Sequence, residues 1–257
     1  MNTYKFHEFD IPIDLLNMTG GGVDTFEEIS DGHINNLKKF VGIYEDHNIL
    51  EIGCGIGRDA IPLTKIISNK GAYLGIDIIK PSIDFCTINI KSKYPNFDFI
   101  HFDIKDQLHN PNGIRKTVDI RLPIPDRSID RVIGWSVFTH LYATDIQHYL
   151  NEISRVLKPN GLAYLTVFIV DEAILHVARK ESRTIYNLKF EHKLTEDCYI
   201  NNQQCPLGAV AYTRDSLFRM IKAAGLELQR DFLRGSWSGF YSEPQEGQDA
   251  MVLRIRN

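Results

Sequence analysis

The chain is expected to fold as an α/β protein on a sheet of about seven mostly parallel strands, with helices on both faces. Three observations carry that expectation. Apolar runs of strand length alternate with segments of helical periodicity along most of the sequence, the rhythm of βαβ units. The run Asn48-Ile49-Leu50-Glu51-Ile52 ends in Gly53-Cys54-Gly55-Ile56-Gly57-Arg58 and passes at once into a helix-capable segment. A strand, a tight Gly turn and a helix start let the backbone approach a nucleotide-like ligand closely. Finally, 257 residues suffice for one large domain with its own core, so residues 1–257 are expected to form a single domain.

The expected strands follow in order. Asn48–Gly53 is the first, Ala72–Asp77 the second, Phe97–Phe102 the third and Ile129–Trp135 the fourth. Leu162–Phe168 is the fifth, opened by a turn at Lys158-Pro159-Asn160-Gly161; Leu226–Leu233 and Ala250–Ile255 complete the set. Helices fill the gaps. Arg58–Ile67 follows the Gly turn. Pro81–Tyr94 starts with a proline whose missing N–H costs nothing at a helix start. Thr144–Leu157 puts Ile146, Leu150, Ile153 and Leu157 on one face, and Thr213–Ala224 begins at a Thr cap and stops at Gly225. Three stretches break the rhythm: residues 1–34, which precede the first strand, 104–126, and 171–208. In an open α/β sheet, ligands bind beyond the carboxyl ends of the strands. Residues 1–34 therefore read as an N-terminal cap and 171–208 as a substrate-cap insertion.

Bulk properties narrow the class. Net charge is −4, against a dedicated nucleic-acid binder. No apolar run reaches the roughly 18 residues of a membrane span, and residues 1–10 mix Lys, His, Glu and Asp, unlike a signal peptide. Cys54, Cys86, Cys198 and Cys205 are scattered, which reads as reduced thiols in a cytoplasmic protein. Asp103, Asp130 and Asp145 do not form a recognisable ligand spacing, so no metal is expected.

The Gly turn alone leaves two ligands open. A dinucleotide fingerprint, G-x-G-x-x-G/A, would need a small residue at position 58, which is Arg58; here the third glycine falls at Gly57. Asp77, at the end of the second strand, can accept both hydroxyls of a ribose in either case. The pattern Glu51-x-Gly53-x-Gly55-x-Gly57 resembles the first motif of class I S-adenosylmethionine (SAM) methyltransferases. The segments Ser128–Leu141 and Tyr149–Gly161 resemble the fourth and fifth blocks of the small-molecule members found with glycan and natural-product pathways. The resemblance covers roughly 48–168, with a weaker match over 213–255.

The resemblance implies a Rossmann-like methyltransferase sheet whose last strand is antiparallel, SAM as cofactor and S-adenosylhomocysteine (SAH) as product. It implies that Gly53, Cys54 and Gly55 lie against the methionine portion, with Glu51 and Arg58 holding the turn or the amino-acid end. Asp77 and Ile78 would meet the ribose, Asp103 and Ile104 the adenine, and Trp135 and Ser136 the sulfonium. Adenine-N6 enzymes carry an Asp/Asn-Pro-Pro-aromatic motif where this chain has Trp135-Ser136-Val137-Phe138, and the Pro-Cys of cytosine-C5 enzymes is missing. The expected acceptor is therefore a small molecule, most simply a hydroxyl, with no nucleic acid and no set oligomeric state.

For a protic acceptor, His140 is the first candidate base, because it follows the fourth strand and histidine titrates near neutrality. Trp237 and Tyr241, in an aromatic Gly-punctuated segment, are expected to line the acceptor site; His176, His192 and Tyr212 are further candidates. Two alternatives stand beside this reading: an NAD-dependent oxidoreductase or epimerase, and a non-catalytic SAM-fold partner subunit. A Tyr-x-x-x-Lys pair is missing at Tyr142 and Tyr149, against the short-chain form of the first.

Overall fold

The computed structural model describes residues 2–181, 183–184 and 186–256. Its main sheet has seven strands: β1 (Asn48–Ile52), β2 (Ala72–Asp77), β3 (Phe97–His101), β4 (Ile129–Gly134), β5 (Leu157–Val167), β6 (Leu226–Leu228) and β7 (Asp249–Ile255). Their order is β6-β7-β5-β4-β1-β2-β3. β1 pairs in parallel with β2 and β4, and β2 with β3, whereas β7 runs antiparallel to both β5 and β6. This is the Rossmann-like methyltransferase sheet with the antiparallel last strand. The chain divides into two compact units, residues 1–116 with 129–133, and residues 117–128 with 134–257.

In the first unit, a hairpin (Thr3–Phe6 with Phe9–Pro12) precedes helix α1 (Phe26–Phe40). Phe26, Ser30, Ile34, Leu37 and Phe40 form its buried stripe. Glu27 and Glu28 in its first turn and Lys38 and Lys39 in its last complement the helix dipole. At its C-terminal end, Arg131 of β4 donates Nε to the Val41 and Gly42 carbonyls at 2.8 and 2.7 Å. The α-helix after the Gly turn, α2, is only Ala60–Leu63, much shorter than the expected Arg58–Ile67. Pro62 explains part of the irregularity: it has no N–H to give the Arg58 carbonyl, and Ser30 Oγ supplies that hydrogen bond at 2.9 Å. The expected helix Pro81–Tyr94 is α3 (Lys80–Cys86) followed by a π turn, Thr87–Lys91, where Asn89 Nδ2 donates to the Phe85 carbonyl.

The second unit carries α4 (Ala143–Val156), α5 (Glu172–Ala178), α6 (Arg214–Ala223) and a three-stranded antiparallel sheet of His192–Thr195, Cys198–Ile200 and Val210–Tyr212. Residues 171–208 thus hold structure of their own. The turn expected at Lys158–Gly161 is strand instead: Leu157 leaves α4 already extended, Pro159 tolerates an extended backbone, and the ladder to β7 starts only at Ala163. The expected strand Leu226–Leu233 breaks after Leu228, with Leu233 forming a separate bridge to Ala250. α6 has the expected cap, Thr213 Oγ1 accepting from Ser216 N, and ends before Gly225 at φ +71°. Among the described residues, no helix is long and apolar enough to cross a membrane.

Candidate active site

The first unit builds its site around the turn after β1. Gly53, Gly55 and Gly57 have φ of +78°, +52° and +83°, a conformation that L side chains rarely adopt. The turn is pinned from β2: Gly53 N and Cys54 N both donate to the Ile76 carbonyl, at 2.8 and 3.1 Å. The buried Asp77 carboxylate accepts from Gly55 N at 2.7 Å and from Ile79 N at 2.8 Å. A carboxylate has about four lone-pair sites, so it can still accept a ligand hydroxyl beside these bonds. Burial raises the Asp77 carboxyl above its ordinary range, and the backbone N–H groups of Ile79, Gly55 and Ile78 oppose that rise. A Cβ on Gly55 would sit 2.8 Å from Thr19 Cγ2, and one on Gly75 would sit 2.8 Å from Cys54 Sγ.

Beneath the turn, Glu51 is buried and accepts the Tyr73 hydroxyl; burial pushes its carboxyl well up, Asp59 adding to the effect. Arg58 donates Nη1 to the Thr19 and Gly20 carbonyls, while its Nε is buried without a partner. His33 Nδ1 lies 2.8 Å from Asp59 Oδ2. Residues 19–33 are therefore fastened to the Gly turn from Thr19 through His33. After β3, Asp103 accepts the Asn110 amide on Oδ1 at 3.0 Å, and Ile104 is buried; Ile78 is half-buried. All four cysteines are free thiols, and burial pushes the Cys54 and Cys86 thiols well up, away from reactive thiolate.

In the second unit, Ser136 sits two residues past β4 with φ +56°, a strained value for a non-glycine residue. Its N–H donates to Thr166 Oγ1 at 2.7 Å and its hydroxyl accepts from Gln248 Nε2 at 2.9 Å. Thr139 Oγ1 and His140 Nε2 lie 3.4 and 3.5 Å from Ser136 Oγ. His140 Nδ1 is 2.8 Å from the Leu207 carbonyl. Trp135 is buried against Tyr164, ring centroids 4.6 Å apart.

Two expectations change here. Trp237 is a core residue rather than a pocket wall: only 3% exposed, it packs on Phe168 and Phe190 and donates Nε1 to Asp249 Oδ2 at 2.7 Å. Asp249 also accepts from Ile169 N and Gly235 N, so burial raises its carboxyl only to about 6. Tyr212 is buried and donates its hydroxyl to the Leu141 carbonyl. Tyr241 is half-buried, its ring edge-on to Phe240. A cavity of about 520 Å³ is lined by Glu172, Leu175, His176, Arg179, Lys180 and Tyr199. No motif marks Thr19 or Leu207, which contribute backbone carbonyls, the first to Arg58 Nη1 and the second to His140 Nδ1. Among the described residues, no group of three His, Cys, Asp or Glu could hold a metal.

Residues 49–161 match the family model of a methyltransferase domain. The tRNA N(3)-cytidine methyltransferase METTL2 of Danio rerio is 26% identical over 197 residues, 74% of this chain and 47% of that protein. Methyltransferase GfsG of Streptomyces halstedii is 24% identical over 157 residues, 61% of this chain and 50% of that protein. The chain thus spans about half the length of these curated relatives. The structure of Burkholderia thailandensis 1,6-didemethyltoxoflavin-N1-methyltransferase, with 1,6-didemethyltoxoflavin and SAH bound, superposes with a TM-score of 0.54 at 16% identity, over 90% of this chain and 79% of that one. Residues 49–161 thus match a methyltransferase-domain family, on a sheet with the strand order of the SAM-dependent class I type. The cofactor of that class is S-adenosylmethionine.

Proposed function

We propose that this chain transfers a methyl group from SAM to a protic atom, most simply a hydroxyl, of a small biosynthetic metabolite or glycan unit. The observation that carries the reading is the left-handed Gly53–Gly57 turn clamped to Asp77, a cradle with the backbone and carboxylate that a nucleoside linked to an amino acid requires. In this reading Asp77 and Ile78 hold the ribose, and Asp103 and Ile104 the adenine. Gly53, Cys54 and Gly55 line the methionine portion, with Glu51 and Arg58 fixing that end of the turn. Trp135 and Ser136 face the reacting end.

The cofactor supplies an activated methyl group on a positively charged sulfur. What remains for the protein is alignment, exclusion of water and removal of a proton. We assign that proton to His140. Residues 1–34 act as a cap held by Arg58, and residues 171–208 as the acceptor-side insertion. The cavity along α5 and Tyr199 supports the latter, being of the size that small molecules occupy. Tyr241 is kept as an acceptor contact.

The net charge of −4 favours a small acceptor over a nucleic acid. A second reading, methylation of an RNA base, is favoured by one observation, the likeness to a tRNA cytidine methyltransferase over 74% of the chain. The test is methyl transfer from labelled SAM into total tRNA and, separately, into a deproteinised small-molecule extract. Label confined to the small-molecule fraction supports the first reading; label confined to tRNA replaces it with the second.

A further inference from the structure

The hydrogen bonds around His140 fix where its proton lies. A carbonyl oxygen can only accept, so the 2.8 Å contact with Leu207 places a hydrogen on Nδ1 of the neutral ring. The lone pair of that tautomer is then on Nε2, the atom 3.5 Å from Ser136 Oγ. Gln248 Nε2 donates to the same Ser136 oxygen at 2.9 Å, which occupies one lone pair and turns the hydroxyl hydrogen toward Thr139 and His140. Ser136 itself is held at φ +56°, a conformation costly outside glycine and kept where the surroundings demand it. The Ser136 N–H bond to Thr166 Oγ1, at 2.7 Å, is part of what demands it.

We propose that Ser136 and His140 form a proton-accepting pair, with Ser136 Oγ the member that meets the acceptor and His140 Nε2 the site where the proton ends. This rests on the methyl-transfer reading and names the groups that serve it. Gln248 and the Leu207 carbonyl are positioning groups: they set the direction of the serine hydrogen and the tautomer of the histidine. In the reaction the acceptor atom bonds to the methyl carbon as the carbon–sulfur bond breaks, its electron pair staying on sulfur. The acceptor proton passes to Ser136 Oγ while the Ser136 proton passes to His140 Nε2. The imidazolium that forms balances the positive charge lost from sulfur. A separation of 3.5 Å is long for a hydrogen bond, as such pairs often are before the acceptor is bound.

Two measurements on the SAH-saturated full chain test the pair. Long-range ¹H–¹⁵N spectra, with the His140 ring assigned by its disappearance in His140→Asn, should show the Nδ1–H tautomer. In Ser136→Ala that tautomer should persist, while the Nε2 resonance moves. Phenylmethanesulfonyl fluoride, which attacks serines whose hydroxyl proton a base removes, should label Ser136, as read by peptide mass spectrometry. The labelling rate should fall about 100-fold in His140→Asn. It should also fall in Gln248→Leu. An Nε2–H tautomer, or Ser136 labelling that ignores His140→Asn, or no labelling of Ser136, overturns the proposal. SAH affinity of each sample is measured alongside by calorimetry. Intact affinity with the wrong tautomer removes the proton pair alone, whereas no affinity in the unmodified chain removes the methyl-transfer reading beneath it.

Discussion

Replacing Gly55 by alanine tests the cradle at its tightest point. The residue has φ +52°, where an L side chain costs about 1–2 kcal/mol relative to glycine. The new Cβ would also sit 2.8 Å from Thr19 Cγ2, closer than carbon atoms tolerate. Thr19 cannot yield freely, because its hydroxyl donates to the Leu16 carbonyl at 2.6 Å and its own carbonyl receives Arg58 Nη1. We expect Gly55→Ala to destabilise the chain by about 2 kcal/mol in urea unfolding. Its affinity for SAH should fall by at least about tenfold, or about 1.4 kcal/mol. Adding Thr19→Ala should recover the contact part of the stability loss and leave the backbone part. Gly32→Ala is the control: it lies in the exposed face of α1 with nothing within 4 Å of a new Cβ, and should stabilise by about 0.5–1 kcal/mol. If Gly55→Ala unfolds at the same urea concentration as the parent and binds SAH equally well, the turn is not the strained cradle described.

Asp249→Asn should have a pH-dependent cost. The native carboxyl, raised from 3.8 to about 6, is protonated over a window where the unfolded one is not, so this group favours folding at low pH. That contribution, about 3 kcal/mol, is lost as pH rises through 6. Asparagine loses the slope but sets an amide N–H₂ against one of three N–H donors, so the difference between parent and variant should shrink from pH 5 to pH 8 in parallel denaturation curves. Thr213→Ala removes the α6 cap and should cost about 1 kcal/mol in the same assay. Ser30→Ala leaves the Arg58 carbonyl without its donor and should cost about 1–2 kcal/mol, where a surface serine would cost nothing measurable.

β1 and β2 were readable because burial on both faces leaves near-continuous apolar runs, and because the Gly turn between them has few other uses. β1, β2 and β3 lie within a residue of where periodicity puts them. The errors fall where one residue meets a tertiary partner. Pro62 interrupts α2 because Ser30, far away in sequence, can satisfy the carbonyl it strands. Pro159 looked like a turn but sits in a part of β5 that the β7 ladder does not reach. Trp237 looked like a pocket wall because an aromatic among glycines is typical of one. Asp249, a residue the sequence shows only as an acid before a strand, draws it into the core instead. His140 was legible as a candidate. Its tautomer was not, since that depends on a backbone carbonyl in the 171–208 insertion.

The most direct test of the proposed SAM site is calorimetric titration of the purified chain with SAH, repeated on Asp77→Ala. Saturable one-site binding is predicted for the parent, weakened by at least about tenfold in the variant. No binding of SAH or SAM by a folded parent, with saturable binding of NADH in its place, would contradict it.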